Sequence, residues 1–300
     1  MIPGPINRLA LGTAQFGLAY GLASGYQQVE MEEVTDILFQ ARKAGVDVID
    51  TAASYGQSED ILRSIDFVTS FKIVSKTLPI RQDCITSDHL IHIENAFQNS
   101  LNMVRGRPLH AYLVHDAKDL LVSGSEQLWL WMKKIKSEGL VRHIGVSVYD
   151  CETARTILDR YDPDIIQIPY NIFDQRLDAE DFFKFCSDRS VKLHVRSIFL
   201  QGAILMHQDA LPQYLKGLQA NLAQLLKFSK VHKVSVYLLA LAFVARRPEI
   251  EHIVVGVHNK VQLFQMLSTW KQLENFDASS IDWQPFACNN LTLIDPRHWS

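Results

Sequence analysis

The strongest constraint on the fold is an alternation of short apolar runs with segments of helical periodicity. Eight such runs occur, most of them rich in Val and Ile. They are Leu9 to Gly12, Val46 to Asp50, Phe71 to Lys76, Ala111 to His115, His143 to Ser147, Ile165 to Ile168, Lys192 to Ser197 and Ile253 to Gly256. Strands that alternate with helices indicate a parallel sheet, because parallel neighbours need a crossover connection.

The periodic segments between the runs are the predicted crossovers. They are Met31 to Ala44, Ser58 to Ile65, Ser87 to Val104, Ser125 to Glu138, Cys151 to Asp159, Ala179 to Arg189 and, after the last run, Lys260 to Leu273. Gly45 and Gly139 are predicted to end two of these helices. Ser87, Ser125 and Asp178 precede others and are predicted to be N-caps.

The longest connection predicts an insertion between strands seven and eight. It runs from Phe199 to Glu251 and contains two helical patterns, Gln213 to Phe228 and Val234 to Ala245. The 300 residues contain no Pro-, Gly- or Ser-rich break, which favours one α/β domain over residues 1–300, a closed (β/α)8 TIM barrel. The alternative is an open doubly wound sheet, but the sequence has no G-x-G-x-x-G turn.

Charge, cysteine spacing and hydropathy exclude several classes of protein. The 30 Lys and Arg residues and 33 Asp and Glu residues give a formal net charge of -3, which predicts no nucleic-acid partner. Cys84, Cys151, Cys186 and Cys288 form no C-x-x-C pair, so we expect reduced thiols and no metal site. We expect a cytoplasmic protein without a membrane partner, because the sequence lacks a signal pattern and any run of about 18 apolar residues. The sequence leaves the oligomeric state open.

Polar residues at the ends of the predicted strands are the candidates for chemistry. In a (β/α)8 barrel, the active site lies at the C-terminal ends of the strands. Asp50 ends the second strand and Tyr55 follows it, while Lys76 and His115 end the third and fourth strands. Barrel closure is therefore expected to bring a carboxylate, a phenol, an amine and an imidazole to one rim.

These four groups suit the reduction of a carbonyl. A tyrosine hydroxyl has a pKa of about 10 in water, and a nearby ammonium group lowers the pKa by favouring the ionised form. Lys76 can supply that ammonium, and Asp50 can hold it in place. We expect His115 to donate a hydrogen bond to a substrate carbonyl oxygen that Tyr55 protonates.

The segment around the second strand resembles the signature of the aldo-keto reductase family. It reads Gly-Val-Asp-Val-Ile-Asp-Thr-Ala-Ala-Ser-Tyr-Gly from Gly45 to Gly56, and Ser58-Glu59 follows. Similarity extends to residues 11–14, 142–147 and 167–171. The resemblance implies that Asp50, Tyr55, Lys76 and His115 form the full catalytic tetrad of an NAD(P)-dependent oxidoreductase, in a barrel without a Rossmann domain.

The resemblance also implies a cofactor site on other strand ends. The matching residues are Gly12, Thr13, Ala14, Ser147, Gln167, Arg196, Ser197, Phe199, Gln201, Gly256, His258, Asn259, Lys260 and Gln262. Ser147 and Gln167 match positions that bind the nicotinamide carboxamide. The last four match a segment that binds the 2′-phosphate with helix amides and basic side chains. The implied cofactor is NADP(H), with NAD(H) as the alternative.

Two residues depart from the family pattern. Val148 stands where an Asn usually follows the serine, and Arg196 replaces an aromatic residue that stacks on the nicotinamide. A guanidinium can also stack on a ring but adds a fixed positive charge. We expect Arg196 either to cover the nicotinamide, disfavouring its oxidised form, or to turn towards a carboxylate.

The implied function is NAD(P)H-dependent reduction of an aldehyde or ketone, with Tyr55 as general acid. A sugar-derived carbonyl is one candidate substrate. The main alternative is a cofactor-sensing regulatory subunit with little turnover. A weaker alternative is an aldolase-type enzyme in which Lys76 forms a Schiff base with its substrate.

Overall fold

Eight parallel strands close into a barrel in the computed structural model, which describes residues 6–22 and 27–299. The strands are β1 (Leu9–Gly12), β2 (Val48–Asp50), β3 (Lys72–Lys76), β4 (Leu109–Val114), β5 (Val141–Ser147), β6 (Ile165–Pro169), β7 (Lys192–Arg196) and β8 (Ile250–Gly256). Each strand pairs with the next in chain order, and β8 closes on β1 with Val255 opposite Leu11. The predicted TIM barrel is confirmed.

Helices connect successive strands. The α-helices of the described residues are α1 (Ala14–Gly17), α2 (Met31–Lys43), α3 (Ser58–Ser64), α4 (Ser87–Met103), α5 (Ser125–Ser137), α6 (Cys151–Arg160), α7 (Arg176–Ala179), α8 (Phe182–Asp188), α9 (Gln219–His232), α10 (Val236–Ala245), α11 (Lys260–Leu273) and α12 (Leu291–Ile294). Short 3-10 helices cover Ile6–Arg8, Asp66–Ser70, Ala117–Leu120, Leu200–Leu205, Gln208–Ala210, Gln213–Leu218, Gln284–Phe286 and Pro296–His298. The connection between β7 and β8 carries α9, α10 and three of the 3-10 helices, as the insertion prediction requires.

Several helix ends differ from the sequence-based predictions. Thr86 and Gly124 are the N-caps of α4 and α5, so Ser87 and Ser125 are the first helical residues. Asp178 lies inside the short helix α7 rather than before a helix. At α4 the error arises because Thr86 and Ser87 are adjacent and equally plausible caps in the sequence, and only backbone geometry separates them.

Side-chain alternation along the strands positions the candidate site. Val48, Val74 and Ile165 belong to a small buried cluster that is separate from the larger core shared with the helices. Successive strand residues point to opposite faces, so residues two positions later point the same way. Asp50, Lys76 and Gln167 therefore occupy the barrel interior directly above these apolar residues, at the C-terminal ends of their strands.

No single helix in the described part of the chain has both the length and the apolar character needed to cross a membrane. By length and composition alone, one sharply bent pair of helical segments is long and apolar enough when taken together. The pair is Gln213–His232 and Val236–Ala245, which meet at 100°.

Candidate active site

A cavity of about 350 Å³ opens at the C-terminal ends of the strands. Asp50, Tyr55 and His115 line it, together with residues from the ends of β1, β5, β7 and β8. Lys76 is 1% exposed and lies behind this wall, in contact with Asp50. The four strand-end groups predicted from the sequence therefore do converge.

Lys76 is held by a buried ion pair. Its Nζ donates to Asp50 Oδ1 at 2.6 Å and to the carbonyl oxygen of Thr51 at 2.9 Å. Burial opposes the charged form, but the adjacent Asp50 carboxylate outweighs it, and the pKa of Lys76 is raised above its ordinary value. The ammonium lies 5.1 Å from the centroid of the Tyr55 ring. A permanent positive charge thus stands beside the phenol.

Hydroxyl groups hold the turn that carries Tyr55. Thr13 Oγ1 donates to the backbone carbonyl oxygen of Asp50 at 3.1 Å, and Ser58 Oγ donates to Thr13 Oγ1 at 2.9 Å. Ser58 Oγ also lies 3.1 Å from Thr51 Oγ1. These buried hydrogen bonds fix the start and the end of the turn, so the position of Tyr55 is set by the ends of β1 and β2.

His115 is a neutral imidazole at physiological pH. Burial, the positive charge of Lys76 and that of Arg196 lower the pKa of His115 to about 3. Its ring meets the Tyr55 ring edge to face, with centroids 5.7 Å apart. Ser54 Oγ lies 3.0 Å from His115 Nδ1. The other ring nitrogen, Nε2, remains for a ligand in the cavity.

Gln167 has an unsatisfied acceptor beside Asp50, although Gln167 itself is fully buried and is not part of the cavity wall. Its Nε2 donates to Asp50 Oδ2 at 2.6 Å, so both Asp50 oxygens are engaged. Gln167 Oε1 is buried and has no hydrogen-bond partner within residues 6–22 and 27–299. Buried polar atoms are nearly always paired, so this oxygen indicates a site for a ligand donor. The primary amide of a nicotinamide has such a donor.

Arg196 stacks on a tyrosine of the protein. Its guanidinium carbon lies 4.2 Å from the centroid of the Tyr149 ring, and its Nη2 donates to the carbonyl oxygen of Val148 at 3.1 Å. Arg297 covers the same ring at 3.9 Å. Within the described residues Arg196 forms no ion pair. The predicted turn towards a carboxylate is therefore wrong, while Arg196 does line the cavity.

The loop after β7 has an unusual backbone. Ser197, Leu200 and Gln201 have positive φ values of 60°, 50° and 53°, and Gly202 has a φ of 101°. Left-handed residues are rare outside glycine and concentrate at functional sites. Ser197 and Gln201 belong to the cavity wall. Turns of this kind point successive backbone N–H groups towards one concave surface, a geometry suited to an anion.

The segment after β8 divides between the cavity and the protein surface. Gly256, His258 and Gln262 line the cavity, whereas Asn259 and Lys260 lie outside its wall. Asn259 caps α11, because its Oδ1 accepts a hydrogen bond from the backbone N–H of Gln262 at 2.9 Å. Burial lowers the pKa of His258, whose Nε2 lies 2.8 Å from the carbonyl oxygen of Tyr20.

The start of α11 is already occupied by acidic side chains. Glu33 Oε1 accepts a hydrogen bond from the Lys260 backbone amide at 2.6 Å. Lys260 Nζ lies 2.6 Å from Asp36 Oδ2 and 4.0 Å from Glu33 Oε2. The cation predicted to face the cofactor is thus paired with α2.

The cavity wall contains most of the predicted residues and several others. The predicted residues in the wall are Gly12, Thr13, Ala14, Asp50, Tyr55, His115, Ser147, Arg196, Ser197, Phe199, Gln201, Gly256, His258 and Gln262. Sequence reasoning missed Gln15, Tyr149 and Tyr237. Tyr149 carried a usable signal, because it follows the strand-end Ser147 by two residues. Tyr237 carried none, since it lies in the apolar helix α10.

A comparison with models of known protein families identifies the family of this chain. The model of the Aldo/keto reductase family matches residues 8–283. The chain belongs to the aldo/keto reductase family. The resemblance found in the sequence is confirmed, and the matched range contains every predicted site residue of this aldo/keto reductase.

Relatives of this aldo/keto reductase are NAD(P)-dependent oxidoreductases. It is 28% identical over 203 residues to the NADP-dependent D-sorbitol-6-phosphate dehydrogenase of Malus domestica, covering 57% of this chain and 64% of the relative. It is 26% identical over 228 residues to the NADH-specific methylglyoxal reductase of Escherichia coli (strain K12), covering 66% of this chain and 65% of the relative. The chain thus spans just under two thirds of these relatives.

Solved structures share the barrel. The holo form of an aldo-keto reductase from Bacillus halodurans matches with a TM-score of 0.71 and 17% identity, over 98% of this chain and 95% of that one. An aldo-keto reductase from Klebsiella pneumoniae in complex with NADPH matches with a TM-score of 0.67 and 18% identity, over 96% and 94%. At these identities the likeness concerns the fold alone.

Proposed function

We propose that this aldo/keto reductase catalyses the reduction of an aldehyde or ketone by a reduced nicotinamide cofactor. The observation that carries the proposal is the set of contacts that Lys76, behind the cavity wall, makes with Asp50 and the Tyr55 ring. A buried ammonium held charged beside a phenol attracts the negative charge that proton transfer leaves on the phenol oxygen. When bound, the cofactor supplies hydride to the carbonyl carbon.

Tyr55 is the proposed general acid, and His115 the proposed orienting donor. Tyr55 protonates the carbonyl oxygen as negative charge develops on it, and Lys76 stabilises the phenolate that remains. Neutral His115 can donate from Nε2 to the same oxygen if Ser54 Oγ donates to Nδ1, which favours that tautomer. Asp50 orients Lys76.

Three features support a nicotinamide cofactor in the cavity. The unpaired Gln167 Oε1 can accept from a carboxamide, and Ser147 lies in the wall at the same strand-end level. The left-handed residues from Ser197 to Gly202 offer backbone amides for a pyrophosphate. A polar wall that includes Arg196 and Gln201 favours a hydroxylated carbonyl substrate, such as one derived from a sugar.

Replacing Tyr55 tests the acid assignment. Tyr55→Phe is expected to lower kcat by about 10²-fold or more, because general acid catalysis contributes that much. Nucleotide binding, measured by fluorescence titration, should persist. Tyr214→Phe, which changes an exposed ring, is the control. Normal turnover by Tyr55→Phe refutes the assignment, and tight nucleotide binding without turnover over an aldehyde panel indicates the sensor alternative.

We further propose that the cofactor is NADH, the alternative rather than the first sequence-based choice. Glu33 holds the Lys260 amide at the start of α11, and Asp36 neutralises the Lys260 side chain. A 2′-phosphate approaching these amides would meet two carboxylates, with Lys260 already paired. The 2′-hydroxyl of NADH carries no charge and avoids that repulsion.

Nucleotide affinity tests the cofactor choice. We expect the wild-type chain to bind NADH at least about tenfold more tightly than NADPH, since one like-charge contact at a protein surface costs on the order of 1 kcal/mol or more. Glu33→Gln should strengthen NADPH binding and leave NADH binding unchanged. Glu274→Gln, at the exposed far end of α11, should change neither. Tighter binding of NADPH by the wild-type chain contradicts the proposal.

A further inference from the structure

Three potential metal ligands converge in the N-terminal half of the barrel, away from the candidate active site. Among the described residues, His194, Glu251 and His252 offer donor atoms that lie within 4.8 Å of one another. His252 lies about 13 Å along β8 from Gly256 in the cavity wall, at the rise of a strand. We propose that these three side chains bind a divalent transition-metal ion, for which Zn²⁺ is the representative.

A β-bulge brings the two neighbouring ligands of β8 to one place. Leu193 pairs with Ile250 and His194 pairs with His252, so Glu251 is an extra residue in β8. In a regular strand, Glu251 and His252 would point to opposite faces. A bulge redirects side chains, and such irregularities are common next to functional sites. Here the Glu251 carboxylate and the His252 ring both approach His194.

The distances suit ligation with little rearrangement. His194 Nε2 lies 3.0 Å from Glu251 Oε2, and the rings of His194 and His252 have centroids 4.8 Å apart. Ligand atoms bound at about 2.0 to 2.2 Å from a tetrahedral zinc ion stand a little over 3 Å from one another. Small side-chain rotations of His252 and Glu251 would therefore complete a three-ligand set.

Unsatisfied nitrogen atoms point to a missing ligand. His252 is 7% exposed, and its buried Nδ1 has no hydrogen-bond partner in the described part of the chain. His110 Nε2 is likewise buried without a partner, and the His110 ring centroid lies 6.3 Å from that of His252. A hydrogen-bonded His194–Glu251 pair alone leaves both nitrogen atoms unexplained. A metal ion bound through His252 Nδ1 would give the first of them a partner.

The donor set selects the class of metal. Two imidazoles and one carboxylate suit Zn²⁺ and other first-row divalent ions better than Mg²⁺ or Ca²⁺, which prefer oxygen. Lys192 Nζ lies 2.8 Å from Glu251 Oε1, the oxygen that does not face His194. That contact orients the carboxylate, as outer partners of metal ligands commonly do. The metal would join β7 to β8 and so brace the barrel wall.

Titration of the full-length, EDTA-treated chain with Zn²⁺ tests the proposal. Calorimetry is expected to give one saturable site per chain, and bound Co²⁺ is expected to give the visible absorption of a low-coordinate nitrogen and oxygen site. Glu251→Gln and His252→Gln should each weaken Zn²⁺ binding by at least tenfold. His207→Gln removes an exposed histidine and should leave Zn²⁺ binding intact.

Thermal unfolding separates ligation from a folding defect. Zn²⁺ should raise the Tm of the wild-type chain and of His207→Gln, because a ligand that binds only the folded state stabilises it. Glu251→Gln keeps the size and hydrogen-bonding capacity of the side chain, and its Tm should no longer respond to Zn²⁺. Absence of saturable binding to the wild-type chain overturns the proposal, and so does unchanged Zn²⁺ affinity in folded Glu251→Gln and His252→Gln.

Discussion

At the scale of the residue, the lowered pKa of His115 makes the free energy of unfolding depend on pH. The pKa of His115 is about 3 in the folded chain, against an ordinary value of 6.5, because burial, Lys76, Arg196 and Arg81 disfavour its protonation. The unfolded chain therefore binds an extra proton below pH 6.5. Above pH 6.5 the imidazole is neutral in both states and leaves the free energy of unfolding unchanged. As the pH falls from 6.5 towards 3, protonation in the unfolded chain progressively lowers the free energy of unfolding.

A variant that lacks the imidazole isolates this contribution. The difference in free energy of unfolding between wild type and His115→Gln should fall by about 2 kcal/mol between pH 7 and pH 5, since each unit of pKa is worth about 1.4 kcal/mol. Urea unfolding at both pH values measures this difference. His207→Gln, an exposed histidine, provides the comparison. A difference that does not change with pH would contradict a depressed His115 pKa.

Single residues also show what the sequence could and could not predict about the site. Asp50, Tyr55 and His115 were predicted from strand ends, because parallel strands bring consecutive C-terminal ends to one rim. The role of Lys260 could not be predicted the same way. Its partners Glu33 and Asp36 lie on α2, more than 220 positions away in the sequence, and only the folded chain brings them together.

At the scale of the element, α1 packs directly against the turn that carries Tyr55. An added Cβ at Gly17 would lie 1.8 Å from the carbonyl oxygen of Tyr55 and 2.4 Å from the Ser58 amide nitrogen. Both neighbours are backbone atoms and cannot move without moving the turn. Glycine at position 17 thus lets α1 serve as a support for the proposed general acid.

Gly17→Ala tests this support. We expect a loss of about 1 to 3 kcal/mol in unfolding free energy from overpacking, together with a lower kcat because Tyr55 is displaced. Denaturant unfolding and steady-state kinetics measure the two effects. Gly106→Ala is the control, since an added Cβ there meets nothing within 4 Å, although its φ of 75° adds backbone strain. A Gly17→Ala chain with wild-type kcat would exclude the supporting role.

Element boundaries were predictable where local chemistry decides them. The φ values of 96° at Gly45 and 73° at Gly139 confirm both as helix-terminating glycines. The segment predicted as one helix from Ala179 to Arg189 is instead divided, with Asp181 at a φ of 51° between α7 and α8. Asp178, in α7, accepts a hydrogen bond from Arg246, 68 positions away, a contact that no local sequence pattern indicates.

At the scale of the whole molecule, the barrel has two polar ends with different chemistry. The candidate catalytic residues lie at the C-terminal ends of the strands, where (β/α)8 barrel enzymes have their active sites. The histidines His110, His143, His194 and His252 come from four different strands near the other end. No motif joins residues so far apart in the sequence, so the proposed metal site could not be found before the fold was known.

The last residues of the described chain reach back to the candidate active site after β8 has closed the sheet. Asp295 Oδ1 accepts from Arg297 Nε at 3.0 Å, and the Arg297 guanidinium lies 3.9 Å from the Tyr149 ring centroid. Arg196 covers the same ring at 4.2 Å. Tyr149 lines the cavity, so this stack connects the C-terminal segment with the cavity wall.

Arg297→Met is therefore expected to raise the KM for the carbonyl substrate several-fold, while kcat changes less, because the proton-transfer groups Tyr55 and Lys76 are not in the stack. Each cation–π contact at a partly exposed site is worth about 0.5 to 1 kcal/mol, which corresponds to a two- to fivefold change. If Arg297 acts only through Tyr149, its replacement should have no further effect in a Tyr149→Leu chain. Arg160→Met, an exposed arginine at the end of α6, should leave KM unchanged. Equal effects of Arg297→Met with and without Tyr149 would show that the C-terminal segment acts by another route.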